Sequence, residues 1–175
     1  MPAGTFIYIQ ETTGGSYTQW YKVSNSGHYS ANAVPLMRTT TVGTARFNNR
    51  NSSESDSMSY LNKYNIDGTN YVKDTLNITW INSLSTEFRN ALIQTEVPTK
   101  ANAQRSASIS NLSLYAWAPS WREWGGNDAD WYEGTPFISL PPTYSFFTWT
   151  RTPVSGMGGN ARVINTSNGI SDYGC

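Results

Sequence analysis

Cysteine is almost absent from this sequence: Cys175 alone in 175 residues, so no internal disulfide can staple the chain. It reads as an incidental terminal thiol, with an intermolecular bridge as the alternative. Histidine is equally scarce, with His28 the only one. One Cys and one His far apart cannot supply the four ligands of a structural zinc site. Charged residues make up 14% of the chain, against about 25% in an average domain. The 12 basic and 12 acidic residues cancel and form no basic block, which argues against nucleic acid as a partner. No apolar run approaches the ~20 residues that cross a bilayer, and no charged-then-apolar leader opens the sequence. The expectation is therefore no membrane insertion and no secretion signal.

What replaces the missing charge is Ser, Thr, Asn and Gly, a mixture that could stay disordered. Aromatic content of 14%, with seven Trp and eleven Tyr, decides otherwise, because such rings bury enough area to order a chain. A length of 175 residues suits one domain with a sizeable core, and no linker or internal repeat divides residues 1–175. Zero net charge gives little colloidal repulsion, which suits a subunit of a larger assembly.

Periodicity then suggests elements. Residues 5–10 are β-branched and aromatic, Gly14-Gly15 makes a turn, and Tyr17 to Val23 alternates, so a hairpin opens the fold. Ala33 to Thr41 reads as a third short strand and Gly43 to Ser53 as a loop. Ser55 or Asp56 caps a short helix holding Met58, Tyr60, Leu61 and Tyr64. Thr79 to Thr95 reads as a helix, with Leu84, Phe88, Ala91 and Leu92 on one face, Ser85 as N-cap, Glu87 in its first turn and Pro98 as the stop. From Ile109 the period becomes two through Leu112, Leu114 and Ala116. Phe137 to Leu140 and Ser145 to Thr150 read as strands, and Ala161 to Asn165 with Gly169 to Tyr173 as a closing hairpin. The fold class expected is α+β, with two helices, mixed or antiparallel sheets and long loops.

Candidates for chemistry are few. His28 lies in a Ser/Asn/Gly segment and reads as an exposed loop residue, with no nucleophile elbow beside it. Asp128 and Asp130, in Asn127 to Glu133, alternate like the start of a calcium loop, but the pattern lacks the Gly at its sixth place. Calcium is thus a weak cofactor candidate, and no other metal or cofactor is expected. Asp128, Asp130 or Glu133 could serve as the paired acids of a glycan hydrolase, although neighbouring acids are common by chance. Trp117, Trp121, Trp124, Trp131 and Tyr132 suit either the core of a loop-rich fold or a binding surface, since flat rings bury area at little entropic cost.

Three segments in order resemble a domain family of unknown function found in phage and prophage tail or surface proteins. Pro35-Leu36-Met37-Arg38 with Thr44-Ala45-Arg46-Phe47-Asn48 is similar to its "Leu-Leu-Arg … Phe-Asn" element. Ser57 to Asn62 resembles its "Ser-x-x-x-Tyr-Leu-Asn" helix, with Leu61 and Asn62 at matching places, and Leu84 to Val97 stands where its second helix does. Phe147 to Pro153 resembles "Trp-Trp-Leu-Arg-Ser-Pro" through Trp149, Arg151 and Pro153, and Ala161 to Asn165 its closing hairpin. The resemblance covers about residues 17–174. It implies a C-type-lectin-like scaffold holding long loops, and it implies no catalytic residues. Arg38 and Arg151 would then be structural, their planar donors tying loops to carbonyls or carboxylates. The first Trp of the double-Trp motif is Thr148 here. The family's further "Gly-Val-Arg-Pro" strand is not found after Tyr173, which suggests an edge covered by a neighbouring subunit.

The expectation is therefore a non-enzymatic protein of a phage or phage-like particle, on the virion surface. Its partners would be other virion proteins, copies of itself or a cell-surface glycan. A bacterial surface adhesin module is the alternative and a glycan hydrolase a distant one. Contact is assigned to Trp121, Trp124, Asp128, Asp130, Trp131 and Tyr132, and to the Val154 to Asn160 loop.

Overall fold

The computed structural model describes residues 1–45, 47, 64, 71–100, 108–126, 133–142, 148–153, 160–164 and 170–174. Its opening hairpin follows from alternation. β1 (Phe6–Gln10) and β2 (Tyr17–Lys22) pair antiparallel with Tyr8 opposite Gln19 and Gln10 opposite Tyr17, and β3 (Leu36–Arg38) adds to β2. Gly14 takes the positive φ of 71° that the turn requires. The inner face of this sheet carries Ile7, Ile9, Trp20 and Leu36, which pack on Trp80, Ile81, Leu84 and Phe88. Each large side chain buried there contributes about 1.5–3 kcal/mol, so the sheet-on-helix layer is held mainly by this cluster.

The helical side of that layer is a run of three pieces: α1 (Tyr71–Asp74), a π-helical turn over Thr75–Trp80, and α2 (Ile81–Ser83). Asn77 accounts for the wide turn. Its side-chain amide donates to the Lys73 carbonyl at 3.0 Å, the acceptor that an α-helix reserves for the Asn77 backbone N–H. The same side chain donates to Ala116 O at 2.7 Å and accepts from Tyr115 N and Ala116 N. It therefore ties the helix to the chain at Tyr115 and Ala116.

The helix expected over Thr79 to Thr95 is two separate pieces. Leu84 is extended, Ser85 caps α3 (Thr86–Ala91) by accepting from Phe88 N at 3.1 Å, and Leu92 is extended again. Beyond it lies β4 (Thr95–Lys100), paired antiparallel with β5 (Ile109–Leu114). Pro98, read from sequence as a helix stop, sits inside β4. A two-stranded sheet tolerates it because one side of each strand has no ladder partner. Val97 and Leu114 face a second core cluster with Phe47, Tyr64, Val72 and Ala118.

The third sheet joins β6 (Thr148–Pro153), β7 (Asn160–Ile164) and β8 (Ile170–Gly174) in antiparallel order, with a register shift between Trp149 and Pro153. The closing hairpin is thus present with nearly its expected bounds. Phe137 to Leu140 is not a strand: Phe137 N donates to Glu123 O and Ser139 N to Val23 O, two different neighbours that no single ladder could satisfy. The short helix expected before Tyr64 lies outside the described residues. The class is α+β, with three small antiparallel sheets and two helical stretches among the described residues. Among the described residues no helix is long and apolar enough to cross a membrane.

Candidate functional site

The most distinctive group of polar side chains is buried. Arg151 of β6 is wholly enclosed, as are Glu123 and Glu133. Arg151 Nη1 and Nη2 meet Glu123 Oε2 and Oε1 at 2.6 and 3.0 Å, the forked pairing that a guanidinium favours. Its remaining donors reach backbone: Nε to Pro98 O at 2.9 Å, Nη1 to Ala118 O at 3.0 Å and Nη2 to Glu133 O at 3.2 Å. Burial works against the guanidinium charge, but Glu123 more than offsets it and keeps the group protonated. One side chain thereby joins β4, the loop after β5, the segment at Glu133 and the third sheet.

Glu123 is placed by a reciprocal turn. Ser120 Oγ accepts from Glu123 N at 3.0 Å, while Glu123 Oε2 accepts from Ser120 N at 2.7 Å. This is the capping-box exchange of Ser-x-x-Glu, carried by Ser120-Trp121-Arg122-Glu123, and Gly125 closes the turn at a φ of 92°. The Tyr29 hydroxyl donates to Glu123 Oε1 and accepts from Thr135 N. Burial, then the Glu123 charge, raises the Tyr29 pKa well above the phenol range. Glu133 accepts from Lys100 N. Burial raises its pKa above the ordinary carboxylate value, opposed by Arg151, Thr152 and Lys100.

His28 stands beside this node and is not the exposed loop residue the sequence suggested. Its ring lies 4.3 Å from Tyr29 and 5.2 Å from Phe137, and its Nε2 is buried without a hydrogen-bond partner. Burial lowers its pKa from the ordinary 6.5, Glu123 opposes this and Arg151 adds to it. The protein therefore holds a neutral imidazole there.

A second node has the same chemistry. Glu11, buried at the end of β1, accepts from Arg38 Nε at 2.8 Å and Trp20 Nε1 at 3.0 Å, with Trp80 Nε1 at 3.5 Å. Arg38 Nη1 donates to the carbonyls of Thr40 and Thr41. Between the two nodes lies a cavity of about 620 Å³, walled by rings such as Trp20, Trp80, Trp117 and Trp149 and bordered by Arg38 and Tyr29. It offers flat apolar surface with polar groups at its edges, the lining expected of a small-molecule pocket.

The residues singled out from sequence fall into three places. Arg38 and Arg151 are the centres of the two nodes. Phe47 is fully buried, 5.5 Å from the Trp149 ring, and Trp149 Nε1 donates to Ala45 O at 2.9 Å; Pro153 ends β6. Trp124, expected at a loop surface, is instead 5% exposed and packed with Tyr21, Val23, Met37 and Ile164, because the Ser120–Gly125 turn folds it inward. Trp121 is half-buried and lies flat on Gly126, where an added Cβ would stand 1.7 Å from its Nε1. Asn48, Leu61, Asn62, Asp128, Asp130, Trp131, Tyr132 and the 154–159 loop lie outside the described residues. Among the described residues no three His, Cys, Asp or Glu side chains group as metal ligands.

Glu11, Tyr29 and Glu123 were missed from sequence. For Glu123 a signal existed: Ser-x-x-Glu between two tryptophans is an acid that cannot easily reach water. Glu11 and Tyr29 carry no comparable local mark. No protein-family model, no curated protein and no solved structure matches the chain.

Proposed function

We propose that the chain is a non-enzymatic structural and recognition protein of a phage or phage-like particle, built on a C-type-lectin-like scaffold. It decorates the head or tail, attaches to a host-surface glycan or protein, or does both. The observation that carries this reading is the use made of Arg38 and Arg151, the two arginines at the positions of the sequence resemblance. Both are engaged by buried acids, Glu11 and Glu123; Arg38 also holds the carbonyls of its own following turn, and Arg151 those of otherwise separate segments. Charges used in this way brace a frame for irregular connections, which is what a loop-displaying recognition domain needs. Glu123, the acid whose charge acts on His28, is saturated by Arg151, Ser120 and Tyr29, which leaves it poorly suited to proton transfer.

The test is co-sedimentation of the purified chain with phage particles and with bacterial cell envelopes, alongside an assay for sugars released from envelope glycans. Pelleting with either, without sugar release, is expected. A chain that stays in the supernatant with both overturns the reading, as does metal-dependent sugar release that Asp130→Asn abolishes.

A further inference from the structure

The outer face of the β1–β2 hairpin carries two open aromatic rings, Tyr8 and Tyr17. Antiparallel register sets Phe6, Tyr8 and Gln10 of β1 beside Tyr21, Gln19 and Tyr17 of β2 on one side of the sheet. The two ends of this face are unequal. At one end Tyr21 is buried, stacks edge-on with Phe6 at 4.9 Å and shares a hydrogen bond with Ser139 at 2.7 Å, so that end is closed. At the other end Tyr8 is 64% and Tyr17 69% exposed. These are the most exposed aromatic rings among the described residues, and they occupy diagonal positions on neighbouring strands, about 7–8 Å apart in such a sheet.

The polar groups around these rings are amides and hydroxyls that are already held in place. Gln19 Nε2 donates to the Tyr8 hydroxyl at 2.8 Å, and Gln19 Oε1 accepts from Thr39 Oγ1 at 3.1 Å. Gln10 Nε2 donates to Gly15 O at 2.8 Å. None of Phe6, Tyr8, Gln10, Tyr17, Gln19 and Thr39 is charged, and the nearest acid in sequence, Glu11, points to the opposite face, where it is buried with Trp20 and Arg38.

We infer that this open end, Tyr8 and Tyr17 with Gln10 and Gln19, is a contact platform for an uncharged glycan chain. Sugar rings present flat C–H faces edged by hydroxyls. Exposed phenol rings match the first, and fixed amides and phenol hydroxyls match the second. The absence of charge is complementary to a neutral ligand and offers nothing to a phosphate or an acidic peptide. Size separates a glycan from a protein partner. Two open rings with their two amides are far fewer than the roughly 20–30 residues a side of a stable protein interface, and match the few sugar units of a short oligosaccharide. Pre-set side chains also lower the ordering cost of binding. The inference rests on the recognition reading above and names its ligand class and its contact face.

The experiment screens the full chain against an array of neutral oligosaccharides, two to six hexose or N-acetylhexosamine units long. Wild type, Tyr8→Ala, Tyr17→Ala, the double variant and Tyr8→Phe are compared, with thermal melts to confirm that these surface changes leave the fold intact. Wild type is expected to bind at least one neutral oligosaccharide. Each alanine should weaken that binding about tenfold, the size of a lost ring contact, and the double variant should abolish it, while Tyr8→Phe, which keeps the ring and loses only the hydroxyl, should weaken it by less than Tyr8→Ala. No binding by wild type overturns the inference, as does equal binding by the double variant. It is also overturned if the double variant changes only self-association in sedimentation, which would make a second copy the occupant. The double variant still pelleting with particles or envelopes while wild type binds no array sugar sinks this inference alone; wild type pelleting with neither sinks the recognition reading itself.

Discussion

Replacing Arg151 by Met removes a guanidinium that is fully enclosed and forked onto a fully enclosed carboxylate. Breaking such a pair from one side leaves Glu123 as an uncompensated buried charge, which costs about 3–5 kcal/mol. The carbonyls of Pro98 and Ala118 lose this donor as well, while Glu133 O keeps the Ser120 hydroxyl, and each buried acceptor left bare adds about 1–3 kcal/mol. Some of that is recovered as the site relaxes, so the expected loss is at least about 4 kcal/mol, set against a total of about 5–15 kcal/mol for a domain. In a chain of this size it corresponds to a fall in melting temperature of roughly 8–16 °C. The assay is urea and thermal unfolding of wild type, Arg151→Met, Glu123→Leu and the double variant. Since neither charge is then stranded, the double variant should be clearly more stable than the sum of the single losses predicts, with a coupling of about 2–3 kcal/mol. A single-variant loss below about 1 kcal/mol, or additive losses, refutes the idea that this pair braces the fold.

Three further outcomes follow from the same region. Glu133 has its pKa raised by burial, so its neutral form suits the fold; its contribution is fully present below the ordinary value of 4.5 and is lost as pH rises through the folded value. Glu133→Gln should therefore flatten the decline of the urea midpoint above pH 4.5, and an equal loss at every pH would count against this. His28 has its pKa lowered, so its contribution is present above 6.5 and is lost as pH falls below that. The imidazole resonances of the only histidine should titrate below 6.5, and His28→Phe should remove the corresponding slope in stability; titration at or above 6.5 contradicts this. Gly134 has a φ of 100°, and a Cβ there would lie 1.9 Å from the Tyr29 hydroxyl. Gly134→Ala should cost about 1–3 kcal/mol from backbone strain alone and displace Tyr29 from Glu123, read as a shift of the Tyr29 ring resonances; an unchanged melting temperature would exclude the close approach.

Elements whose signal is local were readable from sequence. The β1–β2 hairpin needed only alternation and a Gly pair, and the β7–β8 hairpin needed little more. Ser85 was recognisable as a cap because its side chain can satisfy a backbone donor wherever the chain turns into a helix. The failures are tertiary. Leu84, Phe88, Ala91 and Leu92 keep helical spacing, but Leu84 reaches Trp80 and Trp20 from an extended residue and Leu92 from beyond the helix end. Burial survived at Leu84, Phe88 and Leu92, whereas Ala91 is exposed and only Thr86–Ala91 of the expected helix forms one continuous piece with Ser85 as its cap. Pro98 looked like a terminator because its missing N–H is visible in sequence, whereas the side of β4 that it faces is not. For the candidate site, one partner of each node was legible: Arg38 and Arg151 stood out by resemblance. Their acids did not, since Glu11 lies 27 residues from Arg38 and Glu123 lies 28 from Arg151, and nothing in one sequence announces such a pairing.

Arg151 also sets an order of events for a chain emerging from the ribosome. Its acceptors lie at Pro98, Ala118, Glu123 and Glu133, all of them synthesised before it. Until β6 arrives, Glu123 has no counter-charge and the carbonyls of Pro98 and Ala118 lack the Arg151 donor, so the middle of the chain cannot close over them without penalty. The inner face of the first sheet and the helical residues it covers, whose contacts lie within residues 7–92 apart from Ala116, can consolidate earlier. The domain thus matures from its N-terminal layer outward, and the middle segments settle last, when the arginine that holds them together has been made.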